Sequence, residues 1–204
     1  MSYNQPKSFH LIVLLNTLGK LIEKVIAERI QFTVASNDFI HPSQLGGLKF
    51  KSTTDASVAL THIVWSEWVK GKTTSILAFD ISQFFLLLNH RLLTLILEKA
   101  GLESKVSSFF ANYLVKRNTS YLWNDLSSPN FEVNVGVGQG SALSPILLAL
   151  YLSPFLHILE KHLKNLKIPI SILLFVDNGL IIVQNKFLDI SNTYLFYSYN
   201  CQDH

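Results

Sequence analysis

The chain has 204 residues, 49% of them hydrophobic and 12% aromatic, with 17 basic residues against 14 acidic ones for a formal charge of +3. That much apolar surface supports one real core or two small ones, and so slight a positive excess permits a nucleic-acid partner without arguing for one. A lone cysteine, Cys201, excludes an intrachain disulfide and the usual cysteine-rich zinc sites, so a reducing, intracellular setting in cytoplasm or nucleus is expected.

Met1 to Lys7 lacks the parts of a secretory signal. Leu18, Leu21, Ile22, Val25, Ile26 and Ile30 recur at helical spacing with Glu23, Lys24, Glu28 and Arg29 opposite them, which predicts an amphipathic helix over about Thr17 to Ala35. After a polar loop with Pro42, Gly46 and Gly47, Ser52-Thr53-Thr54-Asp55 opens a second helix that runs to about Lys70 and ends at Gly71. Trp65 and Trp68 on it are expected in the core. Ser75 to Phe79 is short, apolar and partly β-branched, a buried strand stopping at Asp80.

Helices follow at His90 to Ala100, capped by Asn89 and stopped by Gly101, and at about Lys105 to Val115. Thr119 to Trp123 and Phe131 to Val135 read as two strands around a Ser-Ser-Pro-Asn turn. A glycine-rich loop leads to Ser144-Pro145, an N-cap with proline at the first helical position, and a helix to about Leu163 kinked near Pro154. Ser171 to Val176 and Leu180 to Val183 flank Asp177-Asn178-Gly179, a hairpin signal. The mean hydropathy of +0.29 raises the question of a membrane. The best spanning stretch, Ala142 to Leu159, holds two prolines, two serines and a histidine, so a core helix and no membrane partner are expected.

From Ser75 onward the order is β-α-α-β-β-α-β-β, which contains the β-α-β-β-α-β layout of a ferredoxin-like antiparallel sheet with helices on one face, an α+β class. Asp80 closes one apolar strand and Asp177 sits in the last hairpin. Central neighbouring strands would bring the two carboxylates together, the donor set that hard divalent cations use in two-metal phosphoryl transfer. Taken singly, each aspartate also suits an ordinary turn.

Ala78-Phe79-Asp80-Ile81-Ser82-Gln83-Phe84-Phe85 resembles motif A of reverse transcriptases, Gly136-Val137-Gly138-Gln139-Gly140-Ser141-Ala142-Leu143-Ser144-Pro145 resembles motif B, and Phe175-Val176-Asp177-Asn178 resembles motif C, in the family's order and spacing. Leu15 to Lys24 and Gln44 to Ala56 are similar to the fingers motifs of non-LTR, LINE-type enzymes, so the likeness covers nearly the whole chain. It implies a fingers-like helical region at 1–74 and a palm-like region at 75–204, in a truncated copy that ends about twenty residues past the Asp177 hairpin, ahead of the family's thumb and primer grip.

The resemblance implies that this is an RNA-directed DNA polymerase domain acting on an RNA template, a DNA primer and dNTPs. Asp80, Asp177 and the backbone carbonyl of Ile81 would hold two Mg²⁺ ions, with Mn²⁺ as a substitute. Phe85 would be the steric gate against a ribose 2′-hydroxyl. Gln139, between Gly138 and Gly140, would lie near the nascent base pair, and Lys49 and Lys51 would grip the triphosphate. Asn178 stands where the family has a second catalytic aspartate, and Phe9-His10-Leu11-Ile12 where it has an aromatic-Arg-Pro-Ile sequence; both predict impaired catalysis. The alternative is an inactive remnant that binds nucleic acid weakly through Lys49, Lys51, Lys70, Lys72, Lys116 and Arg117.

Two other motifs fail on inspection. Gly71-Lys72-Thr73 lacks the first glycine of a P-loop, since Ser66 occupies that position. His157, Glu160 and His162 do not share a helical face and are expected as surface residues.

Overall fold

The computed structural model describes residues 11–165 and 169–186; Cys201, Phe9 and His10 lie outside the described residues. In chain order the elements are α1 (Thr17–Ser36), α2 (Thr53–Trp68), β1 (Thr73–Asp80), α3 (Phe84–Leu87), α4 (His90–Lys99), α5 (Ser104–Tyr113), β2 (Arg117–Thr119), β3 (Leu122–Trp123), β4 (Leu126–Ser127), β5 (Phe131–Val133), α6 (Ser144–Asn165), β6 (Ile170–Phe175) and β7 (Asn178–Asn185). The fold is α+β, and its sheets are small and antiparallel.

Helix starts follow local chemistry. Asn16 accepts from the Gly19 amide at 2.6 Å, and Asn89 from the Leu92 amide at 3.0 Å. Ser52 and Asp55 form a reciprocal capping box, the Ser52 amide donating to Asp55 Oδ2 at 2.7 Å and the Asp55 amide to Ser52 Oγ at 3.2 Å. Each satisfies amides that the first helical turn leaves without partners. Gly101, at φ +74°, follows α4 in the left-handed conformation that stops a helix.

The chain divides into two compact units, Met1–Asn37 with Gln83–Leu147, and Asp38–Ser82 with Leu148–His204. The second holds a three-stranded sheet of order β1-β7-β6, with α2 in contact with β1 and β6. The first holds α4 packed on α5 around buried Leu93, Leu97, Val106 and Phe110.

The expected strands near 119–123 and 131–135 do not join that sheet. Arg117–Thr119 pairs only with Phe131–Val133, and a second small ribbon, β3 with β4, lies inside their connection. Asn124, at φ +52°, makes the tight turn of that ribbon, so the reversal precedes the Ser-Ser-Pro-Asn segment. Beside β1 lies β7, the neighbourhood expected for the two aspartate-bearing strands, and its run Leu180–Val183 supplies the apolar pairing surface.

The last hairpin turns one step earlier than Asp177-Asn178-Gly179 suggests. Phe175 pairs with Asn178, leaving Val176 and Asp177 as the two-residue loop. Val176 carries φ +61°, the geometry of a type II′ turn, where glycine is the favoured residue. Gly179 is a strand residue opposite Phe79, and a Cβ there would stand 2.1 Å from Phe79 Cζ. Its glycine character serves the ring lying over it, which explains the misread turn.

Two packing expectations and one capping expectation are also overturned. In α1 the buried residues are Glu23, Ala27, Ile30 and Val34, while Leu18, Leu21, Ile22 and Val25 are exposed. Trp65 and Trp68 are exposed. Ser144 is the first helical residue of α6, and its hydroxyl donates back to the Gly138 carbonyl at 2.7 Å. Among the described residues α6 alone is long and apolar enough to cross a membrane by length and composition. It buries Ile146 to Leu150, Leu152 and Leu156 within the protein.

Candidate active site

Both aspartates singled out by the sequence come to one end of the three-stranded sheet. Asp80 is the last residue of β1 and pairs with Asn178, the first of β7. The Ile81 amide donates to the Asp177 carbonyl at 3.0 Å, so the backbones of Asp80-Ile81 and Asp177-Asn178 are stitched side by side. The Asn178 amide group donates to Asp177 Oδ1 at 3.1 Å. Asp80 and Asn178 are exposed, Asp177 and Ile81 half-buried.

The hairpin end is braced by the loop before α2. The Leu174 amide donates to the Ser43 carbonyl at 2.8 Å, the Leu45 amide to the Leu174 carbonyl at 2.7 Å, and Gln44 Nε2 to the Val176 carbonyl at 3.4 Å. Gly46 admits the turn, because a Cβ there would stand 2.3 Å from the Val176 nitrogen. A β-branched residue in the left-handed region is strained by about 1–2 kcal/mol, and this brace holds it. Lys51 reaches the same loop, its Nζ donating to the Gln44 carbonyl at 3.5 Å. Asp80, Ile81, Asp177, Asn178, Lys49 and Lys51 thus belong to the second unit.

Phe85, Gly138, Gln139 and Gly140 belong to the first. There the glycine-rich loop is pinned to the segment after β1. The Val137 amide donates to the Phe85 carbonyl at 2.7 Å, and the Gly136 amide to the Leu88 carbonyl at 2.8 Å. Gly136, at φ +75°, would place a Cβ 2.5 Å from the Leu86 oxygen. Its own carbonyl accepts from His90 Nε2 at 2.6 Å and Arg117 Nη1 at 3.1 Å. The close approaches at Gly138 and Gly140 are also to protein: a Cβ on Gly138 would lie 3.0 Å from Val13 Cβ, and one on Gly140 3.2 Å from Ile12 Cγ2.

One residue of this unit departs from what its helical position predicts. Glu23 was assigned to the polar face of α1, yet it is 2% exposed. Its carboxylate accepts from the Tyr113 hydroxyl, from Ser141 Oγ at 2.7 Å and from the Ala142 amide at 3.2 Å. Burial, and next the hydrogen bond to Glu23, push the Tyr113 phenol up to about 12. Glu23 is therefore a tie between α1, α5 and the glycine-rich loop. Helical periodicity gave no signal for it, because periodicity scores a glutamate as solvated.

A model of the family described as "Reverse transcriptase (RNA-dependent DNA polymerase)" matches residues 3–189. The chain belongs to the reverse transcriptase family. This reverse transcriptase domain is 24% identical over 190 residues to the retrovirus-related Pol polyprotein of the type-1 retrotransposable element R2 of Popillia japonica, covering 90% of this chain and 26% of that protein. It spans about a quarter of that relative's length.

Among solved structures, apo telomerase from Candida tropicalis superposes with a TM-score of 0.63 at 15% identity, over 85% of this chain and 32% of that one. Telomerase from Candida tropicalis with a telomeric RNA fragment gives 0.60 at 16% identity, over 87% and 30%. The Candida albicans enzyme, also with telomeric RNA, gives 0.53 at 14% identity, over 80% and 30%. At these identities the likeness establishes the fold of the reverse transcriptase domain.

Among the described residues, no group of three or more His, Cys, Asp or Glu side chains gathers as a metal cage. His157 is exposed with its ring 4.6 Å from that of buried His41, which also lies 3.3 Å from Glu160. His41 Nδ1 accepts from the Ser43 amide at 3.1 Å, which leaves Nε2 as the protonated nitrogen and a donor to Glu160. Of the basic residues considered for nucleic acid, Lys70 and Lys72 each pair with Glu67 at 2.5 Å, and Arg117 is tied to Gly136.

Proposed function

We propose that this domain carries out RNA-templated addition of deoxynucleotides to a primer 3′ end, with a fingers-like region at 1–74 and a palm-like region at 75–204, as in non-LTR retrotransposon enzymes. The observation that carries the reading is the pairing of Asp80 with Asn178 and the Ile81-to-Asp177 hydrogen bond, which put both aspartates at one sheet end. Two carboxylates and the Ile81 carbonyl are an all-oxygen donor set of the kind Mg²⁺ or Mn²⁺ takes together with water and substrate phosphates. When bound, the two ions would activate the attacking hydroxyl and stabilise the leaving group.

The chain's own residues would orient the reactants. Asp80 and Asp177 would fix the ions, and Lys49 and Lys51 would neutralise the triphosphate. Phe85 would exclude a 2′-hydroxyl, while Gln139 between Gly138 and Gly140 would face the nascent base pair. Primer extension on an RNA template with Mg²⁺ or Mn²⁺ tests this, comparing the chain, Asn178→Asp, and a version continued through a thumb. The reading fails if the repaired, extended form makes no product that Asp80→Ala abolishes.

The neutral amide of Asn178 on Asp177 Oδ1 favours a second reading, a catalytically silent remnant. Salt-dependent RNA binding with no extension product supports it, because phosphate contacts release counterions.

A further inference from the structure

The loop before α2 contains a residue that the fold itself does not explain. The Lys51 amide donates to the Leu48 carbonyl at 3.3 Å, closing a four-residue turn with Lys49 and Phe50 at its centre. Phe50 has φ +63° and its side chain is 92% exposed. The third position of such a turn is glycine's or asparagine's place, and a bulky aromatic there is an outlier in backbone conformation. Exposure means that burial does not offset the strain. Residues held in this way gather at ligand clamps.

The surroundings match a nucleotide. Lys49 Nζ lies over the Phe50 ring, 5.7 Å from its centroid, and Lys51, the next residue in the chain, is anchored on the Gln44 carbonyl. With an ammonium over one side of the ring and a second lysine beside it in the chain, the 92% exposed Phe50 offers its other face for stacking of a base and nearby charge for the phosphate joined to it. At the adjacent start of α2 the Asp55 carboxylate accepts from the Ser52 amide and hydroxyl, both at 2.7 Å. We infer that Phe50 is a stacking platform for a nucleobase whose phosphate lies on Lys49 and Lys51. The assignment rests on the proposed role of those lysines and adds the base-binding half of the site.

Binding is measured on the full chain without divalent metal, so that extension does not enter. Fluorescence anisotropy uses a labelled single-stranded RNA, and competition with unlabelled dATP separates a strand from a free nucleotide as the source. Phe50→Leu is expected to weaken binding of at least one probe about fivefold or more, with the salt slope unchanged. Phe50→Gly is expected to weaken it equally while raising Tm, because the turn position is relieved. Lys49→Ala and Lys51→Ala should each lower the RNA salt slope by about 0.7. Wild-type binding of both probes by Phe50→Leu, or a fall in Tm in Phe50→Gly, overturns the inference. Loss of extension with the Phe50 effect intact would sink the polymerase reading alone.

Discussion

The side-chain amide of Asn178 donates to Asp177 Oδ1 at 3.1 Å, at the sheet end where Asp80 closes the neighbouring strand. A neutral donor thus occupies one lone pair of a carboxylate that would hold metal. On the proposed polymerase reading, it also stands where a negative charge would attract metal.

Asn178→Asp should therefore act in opposite directions with and without metal. Two adjacent carboxylates repel, so Tm without metal falls. Added Mg²⁺ or Mn²⁺ should raise Tm by more than in the parent, and extension by about 10²-fold. Thermal melts across a metal titration measure the first effect independently of activity; identical metal-induced shifts in both proteins would count against a cation site here.

Glu23 gives a stability prediction. Glu23→Ala strands the Tyr113 hydroxyl, Ser141 hydroxyl and Ala142 amide, and is expected to destabilise by about 2–4 kcal/mol. Glu23→Gln keeps an acceptor and should cost about half as much or less. Urea midpoints for the two variants give the comparison; equal losses would mean that the acceptor oxygen is not what matters.

Tyr113 sets an alkaline limit. Its folded value of about 12 lies above the ordinary 10, so the neutral phenol is the form the fold favours. The contribution is complete below pH 10 and is lost as pH rises from 10 towards 12. Melts between pH 8 and pH 11.5 should show a decline that Tyr113→Phe flattens.

At the acid end, Lys70 and then Lys72 hold the Glu67 carboxyl below its usual range. That contribution is present above the unfolded value of 4.5 and is lost as pH falls through the lowered one. Glu67→Gln should make the low-pH fall in Tm shallower while lowering Tm at neutral pH; an unchanged acid limb would show that the pair is too exposed to matter.

Gly46 and Gly71 separate crowding from strain. Gly46→Ala drives a Cβ into the Val176 backbone and is expected to destabilise by about 2 kcal/mol or more. Gly71→Ala meets nothing within 4 Å and bears only its φ of +69°, about 1 kcal/mol. Denaturant midpoints should rank them in that order.

The sequence by itself determined whatever is settled within a few residues or by motif order. Ser52-Asp55 and Asn89 start their helices where the sequence places them, because a cap satisfies amides of its own first turn. The run ending at Asp80 is a strand, and the three motifs with the fingers-like segments carried the family.

Only tertiary structure decided what depends on residues far apart in the chain. Asp177-Asn178-Gly179 read as a turn, but β1 fixes the register of β7 and the Phe79 ring claims Gly179, so the chain reverses at Val176-Asp177. Glu23 read as solvent-facing, but donors 90, 118 and 119 residues away bury it. Local pattern counts a side chain's own polarity. Burial is decided by whether distant groups arrive to satisfy it.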